Sequence, residues 1–181
     1  MGSRMTQTAT LAAAIAALER HVGFRRGRLV SMAQRLQNAG VIPTGGPRTA
    51  PQLTLVDVVN LVVAYAADAP LHLAARSVET YGALTPGGAD LSGAPAGLKV
   101  SAASYLASIA ALAAEGDAGM RRLKLEFVST WPELAVHFDD GSTHRFQSIG
   151  AVSGHWQSAG HRKSLTINGA ALADALQEIF P

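Results

Sequence analysis

Ser31, Gln34, Arg35 and Asn38 recur at helical spacing, and Arg25, Arg26 and Arg28 stand just before them. A helix turns about 100° per residue, so if Leu29, Met32, Ala33 and Leu36 face inward, those four polar side chains share the opposite face. The residue types suit duplex DNA. Arg pairs bidentately with guanine edges, Gln and Asn with adenine, and Ser hydroxyls and backbone amides at a helix start hold phosphates. A recognition helix presents its N-terminal part to the major groove, which is where the Arg cluster lies. Aromatic residues make up only 6% of the chain and none decorates this face, so stacking on single strands is the weaker option. A merely solvated helix face would also tolerate these residues, because Arg is a good helix former. Further along, Arg48 stands in a loop rich in Pro and Gly. It is expected to act as a wing that touches phosphate or enters the adjacent minor groove, with Thr44 and Thr49 as neutral phosphate donors. A plain connecting loop is the alternative.

Charge is distributed unevenly. Residues 1–50 carry seven Arg against Glu19, a local charge of +6; residues 51–120 carry −4, and residues 121–181 balance, for a total of +2. Such asymmetry points to a polyanion partner for the basic segment. With 48% hydrophobic and 15% charged residues the chain must fold around a core. It has no Cys, which excludes disulfides, Cys-based zinc sites and thiol nucleophiles. His137 and His144 flank one expected hairpin, but no Glu-x-x-His or His-Glu-x-x-His pattern supports a metal, so none is assigned. Gly45-Gly46 lacks the downstream Lys-Ser/Thr of a phosphate-binding loop. Gly150-Ala-Val-Ser153-Gly154 lacks the spacing of a nucleophile elbow. No catalytic set or cofactor emerges, and the chain reads as a binding protein rather than an enzyme. The apolar stretches 58–67 and 102–114 are shorter than the roughly 18 to 20 residues of a spanning helix, and no secretion signal is recognised, so a soluble protein is expected. Met1-Gly-Ser-Arg before Met5 reads as an expression scar.

The elements that must position these residues follow from periodicity and breakers. Thr6 or Thr8 is expected to cap a helix running to about His21, ended by Gly23. A four-residue link, 24–27, leads to the Arg-rich helix, which Gly40 stops. Thr54 and Asp57 form an acidic capping box for a helix through Tyr65, Pro70 ends that helix, and 71–84 reads as another. Residues 85–97 read as a linker. Residues 101–114 form an almost wholly apolar helix that its own domain or another subunit must cover. Beyond Gly119 the period becomes two: strands through Leu123–Phe127, Leu134–Phe138, Thr143–Phe146 and Arg162–Ile167, then a helix capped by Asn168. Two units are therefore expected, a mainly α unit over 5–84 and a small α+β unit with an antiparallel meander over 98–181.

The stretch Val22-Gly-Phe-Arg-Arg-Gly-Arg-Leu-Val-Ser-Met-Ala-Gln-Arg-Leu-Gln-Asn-Ala-Gly-Val-Ile-Pro, with the following Pro51-Gln-Leu-Thr-Leu-Val-Asp-Val-Val-Asn-Leu, resembles the winged helix-turn-helix segments of bacteriophage and prophage DNA-binding proteins. The resemblance covers about residues 10–84. It implies duplex DNA recognition by Arg25 to Asn38, within a transcription regulator or, alternatively, a small terminase subunit that recognises viral DNA for packaging. It further implies a location in the bacterial cytoplasm. Because such proteins usually dimerise on paired half-sites, homo-oligomerisation through 101–114 and the C-terminal unit is expected.

Overall fold

A computed structural model describes residues 7–152, 156 and 159–181. The expected cap at Thr6, the scar at residues 1–4, and Ser153, Gly154 and His155 lie outside the described residues. The first strand, β1 (Ala9–Thr10), runs directly into α1 (Leu11–Ala17), and the cap is Thr10, whose hydroxyl accepts the Ala13 amide. Thr8 lies one strand pair too early, because Ala9 and Thr10 are taken by pairing with β2 (Gln52–Leu53). The first helix widens into a π-helical turn over Leu18–Val22 and stops at Gly23, whose φ of 80° is the left-handed conformation that a residue without Cβ adopts freely. Only three residues then separate it from α2 (Arg26–Asn38), because Arg26 and Gly27 already belong to that helix.

The second helix buries Leu29, Met32, Ala33 and Leu36, the stripe that periodicity demands. Its end closes on Gly40, with the Val41 amide donating back to the Leu36 carbonyl. In α3 (Leu55–Ala66) the Thr54 and Asp57 capping box forms in both directions. The helix expected over 71–84 divides: Leu71–Leu73 is a 3₁₀ turn after Pro70, and α4 spans Ala74–Gly82. The segment read as a linker opens with an edge strand, β3 (Thr85–Pro86), a position where Pro is tolerated because its missing N–H faces no partner.

Ser101 caps α5 (Ala102–Ala114). Then come β4 (Lys124–Val128), β5 (Glu133–His137), β6 (Thr143–Gln147), β7 (Ser164–Asn168) and α6 (Gly169–Ile179). The larger sheet has the order β3-β6-β5-β4-β7 and every pair is antiparallel. With six α-helices, this five-stranded sheet and the β1–β2 pair among the described residues, the chain is a mixed α+β protein.

Alternation splits the sheet into two faces. Leu125, Phe127, Leu134, Val136, Phe146 and Ile167 are buried on one side and meet Val58, Val62, Leu106, Ile109, Leu172 and Leu176 from α3, α5 and α6. The inward face of α5 is thus covered by its own chain, while Leu112 remains exposed. One buried cluster runs from Ala9 to Phe180 and takes in residues on both sides of the 85–97 segment, whose flanks meet where the Ala102 amide donates to Leu84 O. Tyr81 of α4 donates its hydroxyl to the Val128 carbonyl on β4, and burial pushes its pKa up to about 12. No helix among the described residues is long and apolar enough to cross a membrane.

Candidate nucleic-acid interface

Packing of the apolar stripe fixes what α2 presents outward. Gln34, Arg35 and Asn38 are exposed and Ser31 is half-buried, all on the side away from the core. The Gln34 side-chain amide donates to Asn38 Oδ1 at 3.3 Å, one turn further on, and the Ser31 hydroxyl donates back to the Gly27 backbone carbonyl. Arg35 has no acidic partner among the described residues. The three Arg at the start of the helix diverge. Arg25 is exposed, and its backbone amide donates to the Tyr65 hydroxyl at 2.9 Å. Arg26 pairs with Glu19 at 3.4 Å on the outer rim, a weak, solvent-screened contact. Arg28 turns toward α3: its Nη2 lies 3.1 Å from both Asp68 Oδ1 and the Ala69 carbonyl, and its guanidinium sits over the Tyr65 ring, which in turn stacks on Phe24.

The loop between α2 and β2 is anchored by buried Ile42 and by Gln37, whose amide donates to the Pro43 carbonyl. Its tip is a tight turn in which Gly46 and Thr49 exchange backbone hydrogen bonds at 3.1 and 3.0 Å. Pro47 and Arg48 occupy the two central positions, and Arg48 has a φ of 66°. Thr44, Arg48 and Thr49 are all exposed. The tip therefore presents Arg48 to solvent with no acidic neighbour among the described residues.

No family model, curated protein or solved structure matches this chain. Its functional reading therefore rests on its own residues.

A second polar cluster escaped the sequence reading. On the sheet face away from the helices, Glu133 is only 2% exposed, yet it accepts from Arg145 at 2.6 Å, Arg162 at 3.1 Å, Gln147 at 2.9 Å and the Trp131 indole at 3.1 Å. Burial pushes the Glu133 carboxyl up, but hydrogen bonds from Gln147, Trp131 and Arg145 with the charge of Arg162 outweigh it and hold the group below the usual carboxylate range. Glu126 is lowered in the same sense: burial opposes the shift, and hydrogen bonds from Ser164 and His137 with the nearby Arg162 overcome it. Each strand contributes isolated charges that look solvent-facing in sequence; only the register, with Glu133 opposite Gln147 and Ala135 opposite Arg145, assembles them.

His137 and His144 do not converge. His137 lies on the Glu126 face, 2.8 Å from that carboxylate, whereas His144 lies one register position away on the other face, against Tyr105 and Phe138.

Proposed function

We propose that the chain is a sequence-specific binder of double-stranded DNA that reads base edges with the exposed face of α2 and steadies the duplex with the 43–51 loop, in the manner of a winged helix-turn-helix. Its simplest role is that of a transcription regulator of phage or prophage type. The observation that carries this reading is the exposed Arg35, without an acidic partner among the described residues, beside Gln34 and Asn38 on a helix whose opposite stripe is locked in the core. The order β1, α1, α2, loop, β2 supports it, because pairing of β1 with β2 holds the loop close to the two helices, as a wing requires. The charge of the first 50 residues supplies the electrostatic footprint.

The test is a titration of the full chain with labelled duplexes, first a random pool to select a preferred site, then that site and a scrambled control at several salt concentrations. Affinity should fall linearly with the logarithm of salt concentration. Replacing Arg35 with Ala should cost about 1 to 3 kcal/mol on the selected site and much less on the control, because a base contact is lost. A full chain with no salt-dependent affinity for any duplex would end the reading. Equal losses on both duplexes would remove Arg35 from the base-reading role.

A further inference from the structure

We propose that duplex DNA is also gripped by the C-terminal half of the chain, through a cleft in which Lys163 joins Arg25 and Arg28 to hold a backbone phosphate. This inference rests on α2 being the DNA-reading helix. The cleft, about 350 Å³, is lined by Arg25, Arg28, Tyr65, Asp68, Ser129 and Lys163 among others. Three cations thus face one carboxylate, a local excess of two positive charges drawn from segments more than a hundred residues apart.

Each cation is held differently. Asp68 follows the end of α3 in a left-handed conformation, φ 51°, and its two oxygens are shared: Oδ1 takes Arg28 at 3.1 Å and Oδ2 takes Lys163 at 2.5 Å. Arg28 is additionally fixed by the Ala69 carbonyl and the Tyr65 ring. Lys163 is fixed at its backbone, whose carbonyl accepts from the Ser129 amide at 2.8 Å and whose amide donates to Thr130 Oγ1 at 2.7 Å. Its side chain is 67% exposed. A rooted backbone carrying a solvated ammonium beside a preoriented guanidinium suits an oxyanion that arrives from solution. The Tyr65 hydroxyl, which accepts the Arg25 amide, keeps its own proton to donate.

The cleft is continuous with the proposed reading face. Seven residues separate Arg28 from Arg35, which places them about 20° apart around α2 and roughly 10 Å apart along it. A sugar-phosphate backbone following that flank would meet Arg35, then Arg28 and Arg25, then Lys163. A purely structural role, bracing α3 against the sheet through Asp68, predicts the same contacts but no effect on DNA.

The full chain carrying Lys163→Ala should bind a duplex with a salt slope reduced by about one, on selected and scrambled sequences alike, as expected for one lost phosphate contact. Lys124→Ala is the charge-matched control: Lys124 is exposed at the far end of β4 from the cleft, and its loss should leave the slope at the wild-type value. Thermal unfolding of both variants checks that each is folded. Equal slopes for the two variants, or a lowered unfolding midpoint for Lys163→Ala with the wild-type slope, would overturn the proposal and leave the α2 reading standing. Absence of salt-dependent binding by the wild-type chain would instead remove the α2 reading, and this inference with it.

Discussion

Arg48 occupies a backbone conformation that most side chains avoid. With Pro47 before it and a φ of 66°, it fills the turn position that Gly or Asn normally takes. The left-handed region costs a residue with a Cβ about 1 to 2 kcal/mol, so the fold tolerates a strained residue at an exposed loop tip. Replacement of Arg48 with Asn, which accepts this conformation more readily, should leave the urea midpoint unchanged or slightly higher while flattening the salt slope of duplex binding by about one. A lowered midpoint would show that the Arg side chain supports the loop; an unchanged slope would take the loop out of the interface. Pro and Gly made the loop legible in the sequence, and the polar face of α2 was legible from its apolar stripe. That Arg28 pairs with Asp68 was not, because the two are 40 residues apart and the contact depends on how α2 crosses α3.

The elements divide by how local their causes are. Caps at Thr54 and Ser101, the Gly40 stop and the period-two strands all arise within a few residues, and each is visible as a sequence pattern. The polar face of the sheet is a product of register. Glu133→Gln would leave Arg145 without its counter-charge and Arg162 with Glu126 alone. Because both Arg side chains are partly exposed, the expected loss is about 2 to 3 kcal/mol, below the range for a fully buried pair, read from urea unfolding at neutral pH. The sign with pH follows from the depressed Glu133 carboxyl. Its contribution is present above the unfolded value near 4.5 and is lost as pH falls through the lower folded value. The wild-type chain should therefore lose stability below about pH 4.5, and the Gln variant should lose less over that window. Parallel acid limbs would show that Glu133 is not the group responsible.

Across the whole molecule, α6 is the element that joins the parts, packing on α5, on α1 and on the π-helical turn, where Glu178 pairs with Arg20 and His21. Its first residue, Gly169, lies so close to the Met120 and Leu123 carbonyls that a Cβ there would collide with backbone. Leu176, 1% exposed, lies where the helices meet the sheet. Its replacement with Ala should cost about 2 to 5 kcal/mol through lost burial and the cavity left behind, and because one cluster spans both halves, probes in α3 and in the sheet should report a single coincident unfolding transition. Two separated transitions would show that the halves fold independently. The sequence alone determined the main helices, the strands β4 to β7, the apolar stripe of α2 and the concentration of Arg in the first 50 residues, since these depend on neighbours along the chain. Tertiary structure alone decided that β3 arises within the 85–97 segment, that both halves contribute to one core, and that Lys163 stands beside Arg28. Those outcomes depend on contacts between residues tens to a hundred positions apart, which local periodicity and propensity do not encode.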